Sequence, residues 1–172
     1  MDPTQILSLC HLKQNDSIAD FGAGSGFLAR AAAALVPKGN VFAIEINRDI
    51  VARLNREVGE LHLGNLHPLW GDIEINGGSK IANDSIDFLI LSNVMFHIED
   101  KSGCLKEVRR VLKPDGRVLI VDWQESFGGI GPAPVSVFNK EHATDLFSKL
   151  GFTKITDALP GGDHHYAIIF KK

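Results

Sequence analysis

The sequence predicts a doubly wound α/β domain: a seven-stranded mixed sheet, mostly parallel, with an antiparallel strand near the C-terminus. Three observations carry this reading. Strand-like apolar runs alternate with amphipathic helical stretches along the whole chain. The run SIDFLILSN at 85–93 is almost continuously apolar, as a central parallel strand covered on both faces must be. The last two runs, FTKITDAL and HYAIIFK, are separated by a turn at Pro160-Gly161-Gly162, too short for a helical crossover, so they pair antiparallel.

The elements follow in order. Asp2, Pro3 and Gln5 read as an N-cap, a first-turn proline and a capping-box partner; they open a short helix over Ile6, Leu7, Leu9 and Cys10, within an N-terminal segment 1–15. SIADF at 17–21 is a short strand. Residues 25–36 are helical, with Phe27, Leu28, Ala31 and Leu35 on one face, and Pro37 and Gly39 stop the helix. NVFAIEI at 40–46 is a second strand. Asn47 caps the next helix, which turns Ile50, Val51, Leu54 and Val58 inward and closes at Gly59. NLHPLWG at 65–71 contains Pro68, which removes a ladder donor and places this strand at the sheet edge. After the central strand, 100–112 is an amphipathic helix through Leu105, Val108, Val111 and Leu112, followed by a turn at Lys113-Pro114-Asp115-Gly116 and the strand RVLIVDW. Asn139 caps a last helix over Ala143, Leu146, Phe147 and Leu150, stopped by Gly151.

At 172 residues, with 44% hydrophobic and 23% charged, the chain is expected to form one domain, 1–172, with a sizeable core. A formal net charge of −3 argues against nucleic acid or an anionic membrane as the general partner. The basic run Lys106, Arg109, Arg110 and Lys113 is read as a solvated helix face. Cys10 and Cys104 fall in separate helical patterns and read as small buried hydrophobes. No secretory signal is read at the N-terminus, and no window approaches the roughly 18 apolar residues of a membrane span. The expectation is a cytoplasmic protein without membrane insertion.

The densest signal is SIADFGAGSGFLAR at 17–30, where Gly22, Gly24 and Gly26 stand between a strand and a helix. Glycines there let the backbone turn sharply and let a ligand approach closely, beside the positive end of the following helix. Glu45 ends the next strand, about 20 residues past the first, where a carboxylate can accept hydrogen bonds from both hydroxyls of a ribose. Nicotinamide and flavin binders use G-x-G-x-x-G; here Phe27 stands where the third glycine belongs, so a pyrophosphate has no seat. Asp20, two residues before Gly22, repels an anion and suits an ammonium. A ribose together with a charged amino acid points to S-adenosylmethionine.

The chain resembles the class I S-adenosylmethionine-dependent methyltransferases, and among them the small-molecule type 11 group that includes the ubiquinone/menaquinone enzymes. Five stretches carry the likeness in order: DFGAGSG, AIEIN, GDI at 71–73, NVMFHIED at 93–100, and LKEVRRVLKPDGRVLIVDW. The resemblance implies a Rossmann-like sheet. It also implies that Asp20, Gly22, Gly24 and the neighbouring backbone of Phe21, Ala23 and Gly26 hold the methionine part. Glu45 would bind the ribose, Ile46 and Ile73 would sandwich the adenine, and Asp72, after Gly71, would read its edge. Ser92, Asn93 and Val94 would close over the cofactor, which leaves as S-adenosylhomocysteine. The chain departs from the group at Phe96, often a histidine there, and at Asp115, often a glycine.

Methyl transfer needs alignment and exclusion of water more than acid–base groups. His97 follows the central strand on the cofactor side and is the candidate base; a capping or packing role stays open for it. His164 and His165, beside Asp163, point to opposite faces of a strand and make a poor chelate, so no metal is expected. Trp123 and Phe127 could stack on an acceptor or simply pack. The Gly/Pro-rich segment 124–138 reads as a lid over a small-molecule acceptor or as a surface loop. The central strand ends Asn93-Val94-Met95-Phe96, unlike the N/D-P-P-Y/F of enzymes that methylate amino groups of DNA bases. Two other classes stay open, a nicotinamide-dependent oxidoreductase and a non-catalytic S-adenosylmethionine-binding partner subunit. The sequence does not specify an oligomeric state.

Overall fold

The structure is a computed structural model and describes residues 3–156 and 164–172. Asp2, Asp163 and the expected Pro160-Gly161-Gly162 turn lie outside the described residues. In chain order the elements are α1 (Pro3–Ser8), β1 (Ser17–Phe21), α2 (Phe27–Leu35), β2 (Asn40–Glu45), α3 (Arg48–Glu60), β3 (Leu66–Trp70), β4 (Ile86–Ser92), α4 (Lys101–Val111), β5 (Leu112–Trp123), α5 (Lys140–Lys149), β6 (Thr153–Thr156) and β7 (His165–Lys171). The strands form one sheet in the order β3-β2-β1-β4-β5-β7-β6. β1 to β5 run parallel, and β7 lies antiparallel between β5 and β6. The expected mixed, doubly wound sheet therefore forms, with the proline strand at its edge.

Alternation along β4 explains its continuous apolar run. Phe88 and Ile90 enter a core layer shared with α1 and α2, whereas Leu89 and Leu91 enter the layer shared with α4 and α5. Two of the expected caps form as drawn: Asn47 Oδ1 accepts the Asp49 and Ile50 N–H groups, and Asn139 Oδ1 accepts that of His142. Asp100 does the same for α4 through Gly103 N–H at 2.8 Å.

Three local expectations need correction. Phe27 is not on the inward face of α2, which opens at Phe27: it is 52% exposed, because the face turned to the sheet is the one formed by Leu28, Ala29, Ala32 and Ala33. Gly59 does not close α3; the helix runs through it to Glu60, and His62 makes the left-handed turn at φ 53. The first helix ends at Ser8, which leaves Leu9 at 41% exposed while Cys10 stays buried. The Lys113–Gly116 turn survives as a loop-out inside β5, between the pairs Ile86↔Leu112 and Phe88↔Arg117.

Candidate functional site

Sheet order reverses between β1 and β4, and the C-terminal strand ends around that point open into two adjoining cavities. The larger, about 470 Å³, is lined by Gly22, Gly24, Ile44, Glu45, Ile46, Gly71, Asp72, Ile73, Glu74, Asn93, Val94, His97 and Ile98. The smaller, about 260 Å³, is lined by Asp20, Gly22, Ala23, Gly24, Ser25, Phe27, Leu28, Ser92 and Asn93. The ends of four strands thus bring together twelve of the fourteen residues expected to hold a cofactor, with His97 beside them. Phe21 and Gly26 line neither cavity: Phe21 is fully buried in the core, and Gly26 packs beneath Leu54.

Glycine is required at particular points of this turn. Gly22 has φ +75, and a Cβ there would be driven into Val94. Gly26, at φ +73, would place a Cβ 2.5 Å from Leu54. Gly24, at φ +52, is different: a Cβ would meet only Gly22 O at 3.9 Å, so its Cα faces open space that a side chain would fill. Both Gly22 and Ala23 donate their N–H to Ile44 O, which ties the turn to β2.

Three carboxylates surround the turn. Asp20 is 2% exposed, and burial pushes its pKa up to about 7; the Ala29 backbone amide lowers it in part, and the charge of Glu45 raises it further. Glu45 accepts Gly24 N–H on Oε2 at 3.0 Å and Asn47 N–H on Oε1 at 2.9 Å. Each oxygen keeps a second lone pair for a hydroxyl donor. Asp72 Oδ1 accepts Glu74 N–H, which turns the chain after β3 toward the cavity. On one side Ile46, 58% exposed, stands over the cavity, its carbonyl accepting Trp70 Nε1–H at 2.8 Å; Ile73 lies within the lining.

The wall behind Asp72 is held from α4. Gly71 and Gly78 sit in segments packed backbone to backbone, where either Cβ would collide with the other segment. Buried Glu107 fastens them by accepting from Gly77 N–H, Ser79 N–H and Oγ, and Arg110. Burial alone would raise the Glu107 pKa, but these hydrogen bonds, Arg110 first, outweigh it and hold it at about 2. The E-x-x-R of the sequence is thus a structural clamp on the site.

His97 is exposed, lines the larger cavity, and its ring lies 4.0 Å from that of Phe96. His164 and His165 have different partners: His164 Nδ1 lies 2.7 Å from Glu125 Oε1 with its ring stacked on Phe127, while His165 packs on Trp123. The segment 124–138 is anchored at one end by Gln124 N–H on His164 O and at the other by Phe138 O, which accepts Tyr166 Oη–H. None of its residues lines either cavity, and Phe127, Ile130 and Val135 present apolar surface outward. Sequence reading missed Ile44, Glu74 and Ile98 in the larger lining and Ser25, Phe27 and Leu28 in the smaller; Ile44, Ser25 and Ile98 lie inside the quoted stretches AIEIN, DFGAGSG and NVMFHIED, whereas Glu74 carries no motif.

Fold and cavities define a class: a Rossmann-like α/β domain with a ligand cleft at its topological switch point. A family model described as a methyltransferase domain matches residues 12–153, and the chain belongs to that family, the class I S-adenosylmethionine-dependent methyltransferases. Methyltransferase str2 of Strobilurus tenacellus is 31% identical over 125 residues, 72% of this chain and 42% of its own length. The ubiquinone/menaquinone biosynthesis C-methyltransferase UbiE of Haemophilus ducreyi is 24% identical over 151 residues, covering 86% of this chain and 55% of its own. The chain spans about half the length of the curated relatives it matches. A solved SAM-dependent methyltransferase from Aquifex aeolicus superposes with a TM-score of 0.89 at 23% identity, covering 99% of this chain and 89% of that one.

The residues present fit S-adenosylmethionine. The open face of Gly24 admits a ligand against the backbone, Asp20 offers a buried carboxylate to an ammonium, and Glu45 has lone pairs free for a ribose.

Proposed function

We propose that this chain binds S-adenosylmethionine across the two cavities and transfers its methyl group to a small-molecule acceptor. Bound there, the cofactor supplies a sulfonium methyl: the acceptor lone pair forms the new bond to carbon as the carbon–sulfur bond breaks, and sulfur keeps that electron pair as neutral S-adenosylhomocysteine. Asp20 holds the ammonium, Glu45 the ribose hydroxyls, and Asp72 the adenine edge between Ile46 and Ile73. Ser92, Asn93 and Val94 fix the cofactor against the glycine turn, so that alignment and exclusion of water provide the catalysis. His97 takes a proton where the acceptor must lose one, and segment 124–138, which lines neither cavity as it stands, closes over the acceptor on binding. The observation that carries this reading is the buried Asp20 carboxylate, which an ammonium in the smaller cavity would neutralise.

A small acceptor that is not anionic is supported by the lining, which contains four carboxylates and no lysine or arginine. The same charges, with the net −3 of the chain, disfavour nucleic acid. No helix among the described residues is long and apolar enough to cross a membrane. A cytoplasmic location fits the two free, buried cysteines, and a single domain over 1–172 fits one continuous sheet. The test is incubation with methyl-labelled S-adenosylmethionine and fractionated metabolites. Label in a small molecule with stoichiometric S-adenosylhomocysteine supports the proposal, and His97→Ala should then lower kcat by roughly 10²-fold or more if a proton is removed. Tight cofactor binding without turnover on any fraction favours the partner-subunit alternative.

A further inference from the structure

We propose that Asp122 is a positioning residue of the cofactor cleft: its carboxylate, at the end of β5, clasps the 93–98 loop that forms the wall opposite the glycine turn. The inference rests on the S-adenosylmethionine reading above. β4 and β5 pair as far as Ser92↔Val121, and Asn93 N–H donates to Val121 O at 2.8 Å as the last rung. The chain therefore leaves β4 directly beside Asp122. Asn93 reverses it with φ 52, and Met95 N–H then donates to Asp122 Oδ2 at 3.0 Å. Oδ1 accepts the N–H of Trp123 at 2.8 Å, so each oxygen of the carboxylate holds backbone. His97 N–H on Val94 O closes a tight turn, and Lys101 Nζ secures its far end through Ile98 O at 2.6 Å.

The consequence is geometric. Val94 is pressed against Gly22, and His97 and Ile98 are set into the cavity lining. Asp122 itself is fully buried and lines neither cavity, so it touches no ligand. A buried carboxylate is costly unless its hydrogen bonds hold something in place. Met95 is also fully buried, and without the carboxylate its N–H would be left without an acceptor in the core. Burial pushes the Asp122 pKa up to about 6, against the opposing pull of the Trp123, Met95 and Val94 amides and the charge of Lys101; Tyr166 is the titratable neighbour on β7. At pH 8 the carboxylate is ionised and accepts the Met95 and Trp123 N–H groups.

The test is calorimetric titration with S-adenosylhomocysteine at pH 8 for the wild type, Asp122→Asn and Asp122→Ala. Urea midpoints of the ligand-free proteins and amide exchange across 93–98 are measured alongside. Asp122→Asn sets an NH₂ group against one of the two N–H donors, so affinity should fall about tenfold, with faster exchange at Met95 and an unchanged or raised midpoint. Asp122→Ala should lose more. Wild-type affinity in folded Asp122→Asn overturns the clasp. So does an affinity loss that follows only a lowered midpoint while exchange at 93–98 is unchanged. A wild type that binds no S-adenosylhomocysteine contradicts the cofactor reading instead; the clasp is then judged by exchange alone, and retained Met95 protection in folded Asp122→Ala overturns it.

Discussion

Replacing Asp20 by Asn should make the ligand-free protein more stable and the cofactor site useless. The pKa of Asp20 rises from its ordinary 3.8 to about 7 in the folded chain. Between those values the native state keeps a proton that the unfolded chain has lost, so wild-type stability falls as pH rises from 4 to 7 and is flat beyond. A shift of about 3 units corresponds to about 4 kcal/mol. Asp20→Asn removes that dependence, so the variant should gain up to about 4 kcal/mol over the wild type at pH 8 and almost nothing at pH 3.5. Urea unfolding of both proteins across this range measures the difference, in which the titrations of other groups cancel. With S-adenosylmethionine at about 1,000 times its Kd the gap should close, because only the wild type gains the roughly 4 kcal/mol of ligand stabilisation. Wild-type affinity should weaken up to tenfold per pH unit below 7, since the ligand must displace the proton. A difference that does not change with pH would refute the buried-charge argument.

Other expectations are quickly checked. Gly22→Ala combines left-handed backbone with a collision against Val94 and should cost about 3 kcal/mol by thermal or urea unfolding. Gly24→Ala has room around its Cβ and should fold with a loss of about 1 kcal/mol, yet lower cofactor affinity at least tenfold in calorimetry. Glu107 has the opposite linkage to Asp20: its pKa is lowered from 4.5 to about 2, so its contribution is present above pH 4.5 and lost as pH falls through 2. Glu107→Gln should therefore cost about 3 kcal/mol at pH 7, with the gap from wild type closing below pH 4 in urea titrations.

Much of the molecule could be read from the chain because the relevant signals are local. Asn47 and Asn139 lie directly before their helices, Pro68 bars β3 from the middle of the sheet, and a connection too short for a helical crossover dictates the antiparallel pairing of the last two strands. The site was legible wherever strand ends carry it, at Asp20, Gly22, Glu45 and Asp72. What escaped depends on contacts across long sequence distances. Glu107 acts on Gly77 and Ser79, and Asp122 on Met95, and nothing near either acid announces its partner. Phe27 was misjudged for a different reason. Helical periodicity sets which residues share a face but not which face meets the sheet: the buried face is formed by Leu28, Ala29, Ala32 and Ala33, and Phe27 lies outside it.

The central claim is that one cleft, built from the ends of β1, β2, β3 and β4, binds S-adenosylmethionine through its acidic residues. Isothermal titration of the wild type, Asp20→Ala and Glu45→Ala with S-adenosylmethionine and S-adenosylhomocysteine tests it most directly. The account predicts micromolar-range binding of both ligands by the wild type, on the order of −8 kcal/mol, and its loss in both variants. A wild type that binds neither ligand, or variants that bind as the wild type does, would contradict it.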